Sequence, residues 1–252
     1  MKTKNNIRIK TTAEIDILRK AGKILASIIV DLKRSLSIGM TTKEIDLKAG
    51  ELIKTYKAVS AFKGYRGFPA YACISVNEGV VHGIGNSRVI VEGDIISLDM
   101  GIIYENFYSD TATTVAIGNI EPERQRLLDV AEASLYKGIE AAKVGGRLSD
   151  ISYSVQSYVE LHGFSVVRDF VGHGIGRQLH EDPEIPNYGK PGDGPVLEEG
   201  MVFAIEPMVN MGIHRTRVLR DGWTVVTEDG KPSAHFEHCV LLTKNGPEIL
   251  TI

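Results

Sequence analysis

The segment GDIISLDMGIIYENFYSDTATT, residues 93–114, decides the fold. It begins with a glycine, is rich in β-branched and aromatic residues, and carries one aspartate on each side of a turn-forming run near Glu105. The pattern predicts a hairpin that puts Asp99 and Asp110 on facing strands, opposite each other or one step diagonal. Like charges at that spacing repel, so this hairpin needs a compensating partner.

A second segment repeats this arrangement later in the chain. GMVFAIEPM, residues 200–208, also begins with a glycine and places a carboxylate, Glu206, six residues later, 107 positions after Asp99. Each carboxylate strand is followed by a second carboxylate, Asp110 in the first half and Glu237 in the second. The four-letter run HGIG also occurs twice, at His82 and at His173, with a different separation of 91.

Helix signals repeat in the same way. Thr11 with Glu14 and Thr41 with Glu44 form capping boxes, each opening a predicted helix; the second ends near Tyr56. In the second half, a helix rich in leucine leads to Gly145, and Asp150 opens another helix that stops near Gly163. The matched positions are Gly39 with Gly145, Glu44 with Asp150, and Ile45 with Ile151, all 106 apart.

This duplication predicts an α+β fold with a pseudo-two-fold internal repeat. We expect a single catalytic domain over residues 1–252, with halves at approximately 12–118 and 121–250. The inner strands would form a curved antiparallel sheet with the helices on its outer face. The four carboxylates would then converge near the axis.

Composition limits the function classes. With 43% hydrophobic and 24% charged residues and no long apolar run, the chain is predicted to be soluble, without a membrane partner. Its polar start, MKTKNNIRIK, lacks the apolar stretch of a secretory signal, so a cytoplasmic location is expected. A net charge of −3 without a basic run argues against sequence-specific nucleic-acid binding. Cys73 and Cys239 indicate neither a disulfide framework nor a CxxC zinc site.

Four carboxylates in a partly dry pocket would be driven to protonate unless divalent cations compensate them. A metal pair bridged by carboxylates fits this need. For Glu206 alone, a structural salt bridge is the main alternative. His173, between two glycines, is the best-placed imidazole ligand. Period-two alternation directs His235, Glu237 and Cys239 to one face and His238 to the other, where a structural role is expected.

Five motifs, in order and at matching spacing, resemble one known family. They are SVNEGVVHGIG, SLDMGIIYENFYSDTATT, VGHGIGRQLHEDPEIPNY, GMVFAIEPMV and DGWTVVTEDGKPSAHFEH. From about Ile7 to Leu250 the chain resembles type I methionine aminopeptidases. The resemblance implies the pita-bread fold and removal of the initiator methionine from nascent polypeptide N-termini. Action at the ribosome and a monomeric state are further expectations.

The resemblance also implies roles for individual residues. Asp99 would chelate the second of two divalent metals, Asp110 and Glu237 would bridge both, and His173 and Glu206 would complete the first, with a bridging water as nucleophile. Cobalt, manganese and iron fit four oxygen ligands and one imidazole. Three residues are implied to be catalytic: His82 positions the substrate, His180 contacts the scissile amide, and Glu206 shuttles the proton.

The resemblance also implies which residues bind the substrate and a monovalent cation. The implied methionine pocket comprises His82, His180, Phe62, Tyr65, Phe68, Cys73, Leu179 and Trp223. Asn77, Gly79 and Ser233 match a monovalent-cation loop of that family.

Three positions depart from the family pattern. Gly85 replaces a proline, which predicts a looser loop around His82. Phe62 replaces a frequent cysteine, which predicts a narrower pocket rim. Cys239 replaces threonine beside Glu237, which suggests sensitivity to thiol oxidation or soft metals.

Three other readings stay open from the sequence. A proline-specific peptidase on the same fold would carry the same ligands, usually with an extra N-terminal domain. The type II branch would need a helical insertion, for which the span from His180 to Glu206 has no room. A metal-free binding protein on this fold would typically have lost ligands.

Overall fold

Two pairs of α-helices, one pair in each half of the chain, dominate the computed structural model, which describes residues 7–252. Their bounds are Thr12–Ser35 (α1), Thr42–Thr55 (α2), Pro122–Ala141 (α3) and Leu148–Leu161 (α4), with a short 3-10 helix at Tyr65–Gly67. None of the helices in this described range combines the length and apolar character that crossing a bilayer requires.

The capping boxes predicted at Thr11 and Thr41 are confirmed, whereas α4 begins at Leu148, two residues before the predicted Asp150. The Glu14 backbone N–H donates to Thr11 Oγ1 at 3.3 Å, and the Thr11 N–H donates back to Glu14 Oε2 at 3.0 Å. Thr41 and Glu44 make the same reciprocal pair at 3.2 and 2.7 Å. At α4 the Asp150 carboxylate accepts from the Arg147 N–H at 2.8 Å, so Asp150 closes the first turn.

Fifteen short or medium strands complete the described chain. They are Val59–Ser60 (β1), Cys73–Val76 (β2), Gly79–Val81 (β3), Ile95–Tyr104 (β4), Phe107–Ala116 (β5), Ser165–Val166 (β6), Val171–Gly174 (β7), Glu181–Pro186 (β8), Val202–Ile205 (β9), Met208–Asn210 (β10), Thr216–Val218 (β11), Val225–Thr227 (β12), Ser233–His235 (β13), His238–Thr243 (β14) and Gly246–Ile249 (β15).

The two halves use the same strand arrangement. β4 lies between β5 and β2 in the first half, and β9 lies between β14 and β7 in the second, with every pairing antiparallel. The halves join where Ala112 of β5 bridges Glu237, whose backbone N–H donates to the Ala112 carbonyl at 2.9 Å. The predicted internal repeat is therefore present, but the described strands form four antiparallel sheets instead of one continuous sheet, and the bridge at Ala112 links the two largest.

Strand alternation explains why carboxylates and core residues separate. Leu98 and Met100 of β4 are fully buried in a cluster with residues of α1 and α2. Phe203 and Ile205 of β9 are buried in the corresponding cluster with α3 and α4. Because successive side chains point to opposite faces of a sheet, Asp99 faces away from these helices.

The two HGIG segments do not occupy equivalent places. His173 lies within β7, where it is paired with Ala204 of β9. The residue with the matching position in the first half is Ser75 of β2, which is paired with Ser97 of β4. His82 instead follows β3 with a φ of 57°. The shared letters are therefore not part of the structural repeat.

Candidate metal centre and substrate pocket

The predicted hairpin forms with diagonal placement of its two aspartates. Asp99 is paired with Ala112, and Asp110 is paired with Gly101, two residues further along β4. The two loop residues, Glu105 and Asn106, have φ values of 47° and 63°. Two successive left-handed residues are typical of the type I′ turn, whose twist matches that of antiparallel strands.

A cavity of about 300 Å³ contains every predicted metal ligand. The five are Asp99, Asp110, His173, Glu206 and Glu237. Carboxylate or imidazole atoms of Asp110, His173 and Glu237 lie within 4.8 Å of one another. Glu206 Oε1 lies 3.5 Å from His173 Nε2. Side chains from β4, β5, β7 and the segments after β9 and β13 thus line one space.

Burial gives these carboxyls unusual proton affinity. It raises the pKa of Asp99 to about 7, against a partly opposing influence of His235. Burial, followed by repulsion from Asp99, raises the pKa of Asp110 well above its usual range, and burial does the same to Glu206. The pKa of Glu237 is raised by burial and then by repulsion from Asp110.

The donor set fits divalent cations. Glu237 is only 2% exposed, and its Oε1 atom has no hydrogen-bond partner in the described structure. An unpartnered buried carboxylate oxygen is costly unless a cation or a proton compensates it. Oxygen donors with one imidazole are suited to hard and borderline divalent ions.

Three histidines line the cavity in their neutral form. Burial lowers the pKa of His173 to about 3 and that of His82 to about 4. The pKa of His180 is lowered by burial and then by the charge of Arg66. The Tyr65 hydroxyl lies 2.8 Å from His180 Nδ1, a hydrogen bond that orients the imidazole.

The predicted methionine pocket adjoins the carboxylates. All six of its aromatic, aliphatic and thiol residues line the same cavity: Phe62, Tyr65, Phe68, Cys73, Leu179 and Trp223. The Phe68 ring stands edge-on to both Phe62 and Trp223, with centroid separations of 6.5 and 5.2 Å. Such an apolar wall can hold a flexible thioether side chain.

The predicted monovalent-cation residues are partly brought together. The Ser233 N–H donates to the Asn77 carbonyl at 2.8 Å, and Gly79 is paired with Val226 in the neighbouring β3–β12 ladder. The Asn77 side-chain oxygen, however, accepts from Arg124 at 2.7 Å. The Asn77 side-chain oxygen is thus already bound by a cationic side chain, and the cation site stays a prediction.

The structure shows what surrounds two of the residues that depart from the family pattern, Gly85 and Phe62. A Cβ on Gly85 would come within 2.7 Å of the Thr42 carbonyl, so close approach of α2 requires glycine. The Asn86 N–H donates to Thr42 Oγ1 at 2.9 Å, which anchors this loop instead of loosening it. Phe62 lies against Gly101, where a Cβ would come within 2.6 Å of the ring.

Cys239 is less reactive than the sequence suggests. Its thiol lies 3.3 Å from the Asp110 N–H and donates to the Asp110 carbonyl at 3.2 Å. Burial raises its pKa to about 12. Since the thiolate is the reactive form, the structure argues against unusual oxidation sensitivity. His238, on the other face as predicted, hydrogen-bonds Thr251 at 2.9 Å.

Several residues in or beside the cavity were given no role from the sequence. Phe170 stands edge-on to His82 at 5.5 Å, and Arg66 and Asp169 place opposite charges among the residues that line the cavity. His235 lies 3.6 Å from Glu206. Strand alternation, which directs His235 to the face of Glu237, is the sequence signal for this residue. No sequence pattern marked the other three.

A buried carboxylate cluster with one imidazole, open to a cavity with an apolar wall, defines a metal-dependent hydrolase. Residues 16–244 match the model of metallopeptidase family M24. A methionine aminopeptidase of Clostridium perfringens is 55% identical over 98% of this chain and 99% of its own length.

Solved structures agree. A methionine aminopeptidase of Thermotoga maritima superposes with a TM-score of 0.95 at 48% identity, over 97% of this chain and 99% of that chain. A prolidase of Pyrococcus furiosus has a TM-score of 0.79 at 26% identity, and the match covers 97% of this chain but 65% of the prolidase. The chain belongs to metallopeptidase family M24, among its bacterial methionine aminopeptidases.

Proposed function

We propose that this protein removes the amino-terminal methionine from newly made polypeptides. The observation that carries the proposal is the placement of four buried carboxyls and one imidazole beside an aromatic pocket in one cavity. The names of relatives that match nearly the whole chain support it.

The five ligand candidates would hold two divalent cations. Asp99, Asp110, His173, Glu206 and Glu237, which line one cavity, would supply the ligand atoms. When bound, the cations polarise the scissile carbonyl and supply a strongly nucleophilic water at neutral pH. Cobalt, manganese and iron are the candidates, and availability governs the choice among them.

Side chains around this centre would handle the substrate. Glu206, whose pKa is raised by burial, is suited to take a proton from the attacking water. His180, oriented by Tyr65, would donate a hydrogen bond to the carbonyl oxygen as negative charge develops there. His82, neutral because burial lowers its pKa to about 4, would contact the leaving amide.

Specificity would come from the apolar wall. Phe62, Phe68 and Trp223 would enclose the methionine side chain, and Cys73 and Leu179 would close its base. Nascent chains carry the substrate methionine, so we also propose action in the cytoplasm, near the ribosome, by a monomer. Cosedimentation with ribosomes and light scattering test these two points.

Tripeptide cleavage tests the proposed activity. We expect the purified protein to release methionine from Met-Ala-Ser, to lose this activity with a chelator, and to regain it with Mn²⁺ or Co²⁺. Ala-Pro-Ala serves as the substrate of a proline-specific peptidase and is expected to stay intact. Faster cleavage of Ala-Pro-Ala, or no cleavage of either peptide with metal added, would contradict the proposal.

A further inference from the structure

His235 is a buried histidine that the proposed reaction leaves without a role. It is 1% exposed, and neither ring nitrogen has a hydrogen-bond partner in residues 7–252. A buried polar group without a partner costs about 1–3 kcal/mol. Such a group in a rigid position therefore needs an explanation, and an absent ion or water is one of the usual ones.

Contacts with two neighbouring strands hold the backbone of His235 in place. Thr114 Oγ1 accepts from the His235 N–H and donates to the His235 carbonyl, both at 2.9 Å. The Ser97 hydroxyl is hydrogen-bonded to the same threonine hydroxyl at 2.8 Å. On its other side, His235 is paired with Met208 of β10. The Thr114 hydrogen bonds and the pairing with Met208 therefore fix the backbone from which the buried imidazole projects towards Glu206.

The imidazole is directed at one oxygen of Glu206. His235 Nε2 lies 3.6 Å from Oε2, while His173 Nε2 lies 3.5 Å from Oε1 of the same carboxylate. Two imidazoles thus lie against the two oxygens, one on each. The 3.6 Å separation exceeds the usual N–H···O range by about 0.4 Å, so a small rotation of the carboxylate closes it.

We propose that His235 is a positioning residue of the metal centre, whose Nε2–H donates a hydrogen bond to Glu206 Oε2. This bond would reserve Oε1, on the His173 side, for a cation. Hydrogen bonds to ligating carboxylates set the orientation of the ligand and the affinity for the metal. The inference rests on the metal centre proposed above and adds to it a residue that is not a ligand.

Three substitutions of His235 test separately whether a hydrogen-bond donor is needed and whether the side chain must be long enough to contact Glu206. In His235→Gln the amide can still donate to Glu206, whereas in His235→Asn the same amide is one methylene too short. His235→Leu removes the donor altogether. Leucine also removes an unpartnered polar group, so this variant is expected to fold, which thermal unfolding of the metal-free protein checks.

The readout is Mn²⁺ affinity of the metal-free protein, followed by the electron paramagnetic resonance signal of the free ion. Losing such a hydrogen bond typically weakens metal binding about 10–100-fold. We expect His235→Leu and His235→Asn to bind at least about tenfold more weakly than the wild type, and His235→Gln to stay within about threefold. His238→Leu is the matched control and is expected to bind normally, because His238 contacts Thr251 away from the cavity.

The other outcomes distinguish failure of the positioning role from failure of the metal centre. Wild-type affinity in His235→Leu would overturn the positioning role and leave the proposed function standing. Equal weakening in the Gln and Leu variants would overturn it too, and would indicate that the imidazole itself is a ligand. If the wild type binds no Mn²⁺, the metal centre and this inference both fail.

Discussion

At the scale of single residues, Asp99, Asp110, Glu206 and Glu237 owe their chemistry to burial beside one another. The pKa of each is raised, first of all by burial. Without cations the raised pKa values favour the protonated carboxyls, and divalent cations would compensate the deprotonated forms. The contacts of Tyr65 and the burial of the two cysteines each lead to a prediction.

Tyr65→Phe removes the hydrogen bond to His180 and keeps the aromatic ring in the pocket. A net hydrogen bond is worth about 1 kcal/mol, so we expect kcat to fall about fivefold with little change in KM for Met-Ala-Ser. Tyr153→Phe on α4, an exposed position, is the control and should be fully active. Full activity of the Tyr65 variant would show that His180 is oriented by other contacts.

The two cysteines are expected to be unreactive in the folded protein. Both are buried, and burial raises the pKa of Cys73 well above its usual range and that of Cys239 to about 12. Because thiolates react and thiols do not, a disulfide reagent such as DTNB should label neither cysteine in the native state and both in urea. Rapid native labelling of Cys239 would restore the oxidation hypothesis.

At the scale of elements, a buried ion pair ties the start of the chain to the segment that carries His180. Lys10 Nζ donates to Glu181 Oε2 at 2.8 Å, and the side chains are 2% and 9% exposed. Glu181 also accepts from the backbone N–H groups of Arg177 and Gln178. One carboxylate thus shapes the turn that precedes His180.

Removing one partner of a buried pair leaves an uncompensated charge. We expect Lys10→Met to lower the free energy of unfolding by about 3 kcal/mol, and Lys10→Met with Glu181→Gln to recover more than about 1 kcal/mol, since glutamine still accepts the N–H bonds. Urea unfolding of the metal-free protein measures this. Arg19→Met breaks the exposed pair with Glu248 and should cost under about 1 kcal/mol. Equal costs at both pairs would refute the argument.

At this scale, the caps and turns that depend on neighbouring residues could be predicted from the sequence, whereas contacts between distant segments could not. The capping boxes at Thr11 and Thr41 and the turn at Glu105 depend on neighbours within a few residues, so the sequence specifies them. The contact of Tyr65 with His180 joins segments far apart in sequence, and no pattern encodes it. The HGIG repeat misled because identical letters fell on a strand in one half and after a strand in the other.

At the scale of the whole molecule, the duplicated halves bring the ligand candidates together. Asp99 and Asp110 come from the first half, and His173, Glu206 and Glu237 from the second. Alternation along the strands predicted which residues face the cavity. The ligand roles were predicted from the family resemblance. The absence of a hydrogen-bond partner for the His235 ring depends on the folded structure and could not be predicted from the sequence. Two opposing proton-binding effects then govern how stability depends on pH.

Raised carboxyl pKa values, about 7 for Asp99, mean that the folded metal-free protein keeps protons that the unfolded chain releases above about pH 4. Stability therefore falls as pH rises through these values. The lowered pKa values of His82 and His173 act in the opposite direction, and their effect is complete above about pH 6.5.

Of these two effects, only that of the carboxyls continues above that pH. We expect the Tm of the metal-free protein to fall by about 3 °C or more between about pH 6.5 and 8.5. With saturating Mn²⁺ the fall should vanish, because the cations bind the deprotonated carboxylates. Calorimetry with and without metal measures both slopes. Identical slopes would show that the carboxyl cluster is not the metal site.

Anomalous X-ray diffraction from crystals grown with Mn²⁺ tests the central claim most directly. The account predicts two anomalous peaks in the cavity, among Asp99, Asp110, His173, Glu206 and Glu237. A cavity without an anomalous peak, at Mn²⁺ concentrations that support peptide cleavage, would contradict it.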